Sequence, residues 1–276
     1  MTGQGTTVRS SAVTGEGRSP LVRQVAVTLT FVVCIIGSLI GVGVFGGTRV
    51  AEAADGLLSA DATLLAPATE AFSVWSVIYA GLGLYTVWQW WDRTDERRIA
   101  WLVAASLVLN AAWILAVQAG IVALSVVVIL ALLVVLAVAF ARLLGGRPRS
   151  RVEAVVADGT VGIYLGWVSV ATCANIAAAL YGAGFTGGSR PELWAVGVLA
   201  VVAVIGSAVA VIGRGRIAPA LTTVWGLSWI AIGRGTGDAE ATTTAVAAAV
   251  AAAIIAVVTV ASRVRALTAP RRQETT

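Results

Sequence analysis

The sequence predicts an all-α protein, a polytopic bundle of about eight transmembrane helices. Three observations predict it: the 276 residues are 58% hydrophobic, only 12% are charged, and the mean hydropathy is +0.91. A soluble domain of this length carries about twice that share of charged residues. Because the apolar runs are long, we expect the spans to be helices and not the strands of a barrel.

Eight apolar runs follow one another along the chain, and most reach the ~20 residues that cross ~30 Å of hydrocarbon. The seventh run is short. Only Ala119 and Gly120 join the third run to the fourth, which predicts a tight helical hairpin. The runs are Val25–Phe45, Phe72–Trp91, Trp101–Ala119, Ile121–Leu144, Asp158–Tyr181, Leu193–Gly213, Ile217–Gly233 and Ala241–Ser262.

The 19 basic residues are all arginine, and 16 of them fall on one side of the predicted spans. The positive-inside rule makes that side cytoplasmic, with both termini there, and we place the protein in the cytoplasmic (plasma) membrane. The other side has only Arg49, Arg190 and Arg234. This distribution explains the basic pI, so we interpret the arginines as topogenic. The predicted partner is therefore the lipid bilayer and not nucleic acid.

Both chain ends are predicted to be cytoplasmic tails. Residues 1–24 are mostly rich in Gly, Ser and Thr and are expected to be disordered, and residues 263–276 are similar, with Pro270 excluding a long helical extension. An alternative is a signal peptide cleaved near Ala51–Ala53. The first run is longer than the 7–15 residues of a signal-peptide core, which favours a span.

The residue types exclude several kinds of chemistry. The chain has no His and no Lys, so His-ligated metals, Ser-His pairs and Lys nucleophiles are absent, and we predict neither cofactor nor metal. Cys34 and Cys173 lie within apolar runs and are interpreted as core residues. No Asp, Glu or Arg lies in the middle of a span, which argues against proton pumps, ion-coupled transporters, voltage sensors and an enzyme.

Tryptophan is enriched, and its ten residues divide by depth. Half lie near the membrane interfaces, where tryptophan side chains commonly anchor a helix at the level of the lipid headgroups. The others lie inside the spans, where an indole N–H needs a partner. Helix packing with a hydrogen bond explains such a residue, and so does an aromatic-walled cavity. The deeper residues are Trp75, Trp113, Trp167, Trp225 and Trp229.

Aromatic and amide residues form stripes on three spans. At ~100° per residue, the stripe on the fifth span is about 80° wide, which turns its members to one side of the helix. The amides are explained either as links between helices or as groups presented to a ligand. The stripes suggest a shared interior at middle to outer depth. They are Phe72, Trp75 and Tyr79; Asn110 and Trp113; and Tyr164, Trp167, Ala171 and Asn175.

The first span carries two small-residue pairs, Gly37 with Gly41 and Gly43 with Gly47. Such pairs let helices approach closely, either inside the bundle or between two copies in a homodimer.

The striped segments resemble the TspO/MBR family, the translocator proteins or tryptophan-rich sensory proteins. The run from Phe72 to Tyr79 looks like the F-x-x-W-x-x-x-Y signature of that family's second helix. Asn110 and Trp113 are similar to the L-N-x-x-W of its third helix, and Tyr164 begins a match to its fifth-helix Y-x-x-W-x-x-x-A-x-x-x-N. The resemblance covers residues 25–181 and implies a five-helix bundle, with 182–262 forming three additional transmembrane helices.

The resemblance implies a cavity that binds a tetrapyrrole or another flat hydrophobic ligand. By the matched motifs, Trp75, Asn110 and Trp167 would line it, with Tyr79, Trp113, Tyr164 and Asn175 in support. The loop from about residue 48 to residue 70 would cap it. That loop departs from the family pattern because it is acidic, with Glu52, Asp55, Asp61 and Glu70.

Our main hypothesis is therefore a distant, enlarged relative of TspO that acts as a receptor or sensor for a porphyrin-like ligand. The alternative is a facilitative exporter of a small hydrophobic solute, which would use the same cavity. An intramembrane enzyme has few candidate acids or bases. A scaffold subunit whose stripes only pack helices is the remaining alternative.

Overall fold

A computed structural model of the chain describes residues 20–44, 52–236 and 241–269. Within these ranges the fold has eight long helices and no strand, which confirms the predicted fold class. A 3-10 turn, Thr69–Ser73, leads into the second helix, and a π-helical turn, Ala154–Gly159, lies inside the fifth. The helices are α1 (Pro20–Gly41), α2 (Val74–Trp88), α3 (Ala100–Gln118), α4 (Val122–Leu144), α5 (Arg151–Gly182), α6 (Pro191–Ile212), α7 (Ile217–Thr236) and α8 (Thr242–Thr268).

Seven of these helices, with α2 taken together with its 3-10 turn, are long and apolar enough to cross a membrane, and the chain is a multi-pass membrane protein. The exception is α7, which corresponds to the short seventh run. Its sequence includes Pro219, Gly226 and Arg234, which lower its hydropathy. It nevertheless packs along α5 on one side and α8 on the other, as an integral part of the bundle.

The start of the first helix and the end of the last helix differ from the predicted boundaries. α1 begins at Pro20, five residues before the predicted start at Val25. The polar Gln24 can lie within the helix because it pairs with Gln89, which follows α2. Each of the two side chains donates a hydrogen bond to the other residue's backbone carbonyl, at 3.1 and 2.9 Å. α8 continues past Ser262 to Thr268. The rest of the predicted tails, residues 1–19 and 270–276, lies outside the described residues.

The first five helices form a ring in the order α1, α2, α5, α4, α3, and α3 closes the ring against α1. The other three lie outside it: α7 packs on α5, and α8 packs on α6 and α7. One hydrophobic core fills the ring, and a second core lies between α5 and the outer three helices. Gly37 and Gly41 are buried within the ring, and Gly37 faces Ala111 of α3, so this pair serves packing inside the bundle.

α5 and α7 approach each other until their backbones touch. The Thr222 hydroxyl donates to the Ile163 carbonyl at 2.7 Å, and the Thr223 hydroxyl reaches the Gly166 carbonyl at 3.2 Å. A Cβ atom added at Gly166 would overlap the Pro219 carbonyl oxygen. Small residues allow this approach, as they do in other membrane bundles.

Gly166→Ala is therefore expected to destabilise the protein by about 1–3 kcal/mol, because the added methyl group forces two backbones apart. The measurement is the thermal unfolding midpoint in detergent. Gly197→Ala on α6 is the matched control, since a Cβ there meets nothing within 4 Å. Equal midpoints for the two variants would contradict the prediction.

Ion pairs join the connecting segments at one end of the bundle. Arg97 lies 2.8 Å from Glu153 and 2.7 Å from Asp158, and Arg216 also pairs with Asp158. Arg149 joins the cluster through its ion pair with Glu153. We call these five residues the ion-pair cluster. It ties together the α2–α3, α4–α5 and α6–α7 connections, so several arginines interpreted only as topogenic also hold the fold together.

Candidate functional site

The ring of α1 to α5 encloses a cavity of about 690 Å³. We call it the main cavity. Residues from all five helices line it, and the described part of the connection from α1 to α2 covers it. Six of the seven predicted site residues form part of its wall: Trp75, Tyr79, Asn110, Trp113, Trp167 and Asn175. The seventh, Tyr164, is buried behind the wall and packs against Trp75, with ring centroids 5.9 Å apart.

Aromatic rings from α2 and α5 form one side of the main cavity. Trp75 stacks on Tyr79 with centroids 5.4 Å apart and an interplanar angle of 21°. Trp167 meets both Trp75 and Phe72 edge-to-face, at 6.2 and 5.7 Å. Contacts of this geometry stabilise aromatic clusters beyond area burial alone. The i, i+3, i+7 spacing on α2 and α5 turns these rings to the same side, as the stripes predicted.

Asn110 presents an acceptor that the described residues leave unused. Its side-chain N–H group donates to the Tyr79 hydroxyl at 3.0 Å and approaches the Cys34 sulfur at 3.3 Å. Its Oδ1 is buried and has no hydrogen-bond partner in the described structure, and the same holds for the indole N–H of Trp167. Unpaired buried groups are costly, so a ligand would gain by pairing with these two atoms. The hydroxyls of Ser38 and Thr63, which also line the main cavity, are likewise unpaired in the described structure.

Asn175 has a different role from Asn110. The indole N–H of Trp113 donates to Asn175 Oδ1 at 2.6 Å, and Asn175 Nδ2 donates to the Ser125 hydroxyl at 2.9 Å. These bonds join α3, α5 and α4 and use both ends of the amide. Of the two explanations that the sequence left open, the link between helices therefore holds for Asn175.

Part of the wall was not predicted. α1 contributes Ile35, Ser38 and Leu39, and α4 contributes Ile129 and Leu132. These residues are ordinary for an apolar span, and no sequence signal distinguishes them. On α5, Ala174 and Ala178 extend the stripe of Ala171 and Asn175 at helical spacing, a signal that could have found them.

The segment that covers the main cavity comprises residues 52–73, which we call the cap segment. It lines the cavity with apolar and hydroxyl side chains, among them Leu57, Leu58 and Thr63. The four acidic residues noted in the sequence are exposed, and none belongs to the described wall. The acidic departure from the family pattern therefore leaves the lining of the main cavity uncharged. The four are Glu52, Asp55, Asp61 and Glu70.

α7 holds the cap segment in place. The backbone N–H of Ala68 donates to the Trp229 carbonyl at 3.3 Å, and the indole N–H of Trp225 donates to the Ala71 carbonyl at 3.0 Å. Trp225 and Trp229 also meet edge-to-face, with centroids 5.6 Å apart. Of the three additional helices, α7 thus has a structural role at the main cavity, where it holds the cover in place.

Arg234 belongs to this anchor, and its predicted place in a loop was wrong. It lies in the last turn of α7 with a side chain that is 1% exposed, and it donates to the Ala60 carbonyl of the cap segment. Asp61 lies nearby, at 3.7 Å. A buried guanidinium requires such partners, which explains why this arginine folds inward and does not extend into water.

The described wall of the main cavity contains no Asp, Glu or Arg. No group of three or more Cys, Asp and Glu residues that could hold a metal occurs in the described ranges. The arrangement is suited to binding an apolar ligand through ring contacts and one or two hydrogen bonds.

Comparison with known protein families finds a match. The model of a family described as TSPO-like protein matches residues 23–261, which includes the five-helix ring and most of the three outer helices. No curated protein and no solved structure matches the chain. Because the match covers most of the chain, from α1 into α8, the protein belongs to the TSPO-like protein family.

Proposed function

We propose that the protein is a tryptophan-rich sensory receptor that binds a flat hydrophobic ligand of the tetrapyrrole (porphyrin) class in the main cavity. The observation that carries the proposal is the chemistry of the wall. Stacked and edge-to-face rings form one side of a cavity of about 690 Å³, and the unpaired Asn110 Oδ1 and Trp167 N–H offer one acceptor and one donor. A porphyrin has π-faces for the rings and a core with both N–H donors and nitrogen acceptors.

The orientation proposed for this receptor places both termini in the cytoplasm of the cell and the bundle in the plasma membrane. Its support is the position of the arginine-rich connections, which the ion-pair cluster gathers at one end. The main cavity lies toward the other end, beneath the cap segment, and would receive its ligand from the outer side. A homodimer stays a prediction.

The test is a tryptophan-fluorescence titration of the detergent-purified protein with protoporphyrin IX. Wild type should show saturable quenching at low micromolar ligand. Trp75→Phe removes part of the stacking surface and should weaken binding about 2–10-fold, and Asn110→Leu should weaken it about fivefold or more. Trp91→Phe is the matched control, because it also removes one indole but from a side chain that is 75% exposed.

Quenching that does not saturate would overturn the proposal. Saturable quenching that is the same in Trp75→Phe, Asn110→Leu and Trp91→Phe would place the porphyrin outside the main cavity and would overturn it as well.

The second candidate function is facilitative export of a small hydrophobic solute. The observation that favours it is the ion-pair cluster, which joins three connections at the end of the bundle opposite to the cap segment. A carrier needs contacts of this kind to close that end in one of its two states. The π-helical turn of α5 lies between Glu153 and Thr160 at this end, and such turns are frequent at functional sites. Net flux of a porphyrin into protein-free buffer from loaded proteoliposomes would support export, and binding without flux would support the receptor.

A further inference from the structure

A second cavity, of about 390 Å³, lies on the opposite side of α5 from the main cavity. α5 lines it with Cys173, Ala177 and Leu180, a spacing that forms one face of a helix, whereas Asn175 lies on the wall of the main cavity. The other walls come from α6, from the α5–α6 connection and from the cap segment. α6 follows α5 in the chain but packs chiefly on α8. The second cavity is therefore space that α6 leaves beside α5.

The wall of the second cavity is mostly apolar, and its charges balance. Ile176 on α5 and Val198 on α6 are typical of it. The charged residues of the described wall are Asp61 and Arg234, which have opposite signs and pair at 3.7 Å. A charged ligand would have to compete with a partner that is already in place. Because burying an ionic group without a partner of its own is costly, the wall favours an uncharged occupant.

Hydroxyl groups supply the remaining polarity of the second cavity. Thr63 of the cap segment borders both cavities, and its Oγ1 is buried and has no hydrogen-bond partner within the described residues. Thr186, on the α5–α6 connection, adds a second hydroxyl side chain to the wall. A hydroxyl can both donate to and accept from another hydroxyl. An uncharged head that carries a hydroxyl therefore matches these groups.

The mouth of the second cavity lies at the level of the lipid headgroups. α5 ends and α6 begins there, at the end of the bundle opposite to the ion-pair cluster. Three half-exposed aromatic side chains surround it, Tyr181, Phe185 and Trp194, and the last two meet edge-to-face at 5.9 Å. Aromatic residues of this kind mark the membrane interface. Because an apolar cavity takes up apolar molecules in preference to water, the adjoining bilayer is the source of its occupant.

We propose that the second cavity binds a single-chain lipid with an uncharged, hydroxyl-bearing head. The chain lies between α5 and α6, and the head pairs with Thr63. The volume is near the lower end of the ~300–1,000 Å³ of small-ligand sites, which suits one alkyl chain. Through Leu64 and Leu65 of the wall, the lipid also braces the cap segment against α5. This site is independent of the ligand proposed for the main cavity.

The test uses dodecanol that carries a photoactivatable diazirine on its chain, with the protein in phosphatidylcholine nanodiscs. Mass spectrometry should find saturable labelling on peptides of α5 and α6. Unlabelled dodecanol should protect these peptides at a mole fraction about tenfold lower than dodecanoate does, because only the acid brings a charge that must be buried. A pH of about 9 keeps the acid ionised, since a membrane raises its pKa. Unsaturable labelling, or protection by the acid that equals or exceeds that by the alcohol, would overturn the proposal.

Matched variants locate the site. Ala177→Trp, or the smaller Ala177→Leu, fills the second cavity and should abolish the labelling, and its thermal unfolding midpoint shows that the variant is folded. Ala171→Trp fills the main cavity and should leave the labelling unchanged. Labelling that is lost in Ala171→Trp and kept in Ala177→Trp would assign the lipid to the main cavity and overturn the proposal.

A pair of threonine variants tests the head group. Thr63→Val keeps the shape of the side chain but removes its hydroxyl, and it should erase the advantage of dodecanol over dodecane as a protecting compound. Thr69→Val, on a part of the cap segment that lines only the main cavity, should keep this advantage. An advantage that survives Thr63→Val would contradict the assignment of the head.

Hydrogen–deuterium exchange tests the contact with the cap segment. Dodecanol should slow the exchange of backbone amides in residues 57–66 about threefold in the wild-type protein, because the segment must leave the lipid when it opens. Ala177→Trp should show no such effect of dodecanol. Exchange that dodecanol leaves unchanged in wild type, or slows equally in Ala177→Trp, would overturn the proposed contact.

Discussion

Replacing Arg97 by alanine is expected to destabilise the protein by about 3 kcal/mol, the lower end of the range for breaking a buried ion pair, because Arg149 and Arg216 still contact the two carboxylates. Arg97 is the shared partner of Glu153 and Asp158, and its side chain is 9% exposed. Its loss leaves two carboxylates in a partly buried site with less compensation. The thermal unfolding midpoint in detergent measures the effect.

Arg147→Gln is the control for the loss of one positive charge at this end, because Arg147 is exposed on the neighbouring α4–α5 connection. Its midpoint should match that of wild type. If the midpoints of Arg97→Ala and Arg147→Gln agree, the cluster contributes no stability and its arginines act only in membrane insertion.

Ala171→Trp is expected to abolish saturable binding of protoporphyrin IX, the largest effect on the proposed function. Ala171 lies one turn from Trp167 and one turn from Asn175, and all three line the main cavity. An added indole would occupy the space between the rings that the porphyrin needs. The titration should show only the linear quenching that protein-free micelles give.

Ala177→Trp is the control for this prediction, since it adds the same side chain to the other side of α5. It should bind the porphyrin as wild type does. Full binding by Ala171→Trp would show that the porphyrin lies elsewhere, even if quenching itself is saturable.

The sequence predicted the helices and the aromatic stripes correctly because both depend on local periodicity. A face that repeats every three or four residues stays together in any helix, so Trp75 with Tyr79 and Trp167 with Asn175 fall on one wall once the spans are found. The helical phase also placed Asn110 and Trp113 at the cavity. It could not say which amide keeps an unpaired oxygen, because the Trp113 and Ser125 partners of Asn175 lie on other helices.

Features that depend on distant partners were not predictable. Arg234 follows an apolar run and precedes a Gly-rich stretch, which is typical of a loop. Its burial depends on partners distant in sequence, among them the Ala60 carbonyl, 174 positions away. The start of α1 depends in the same way on the contact of Gln24 with Gln89. A cavity of about 390 Å³ between α5, α6 and the cap segment requires all three together, and none of them carries a motif for it.

The anchoring of the cap segment to α7 has a kinetic consequence. Three hydrogen bonds join the cap segment to α7. Ala68 donates to the Trp229 carbonyl, Trp225 donates to the Ala71 carbonyl, and Arg234 donates to the Ala60 carbonyl. A molecule that leaves beneath this cover must wait until several of these bonds break together. We therefore expect the residence time of an occupant to be set by opening of the cover, and weakening the anchor should speed entry and exit alike while changing the equilibrium constant little.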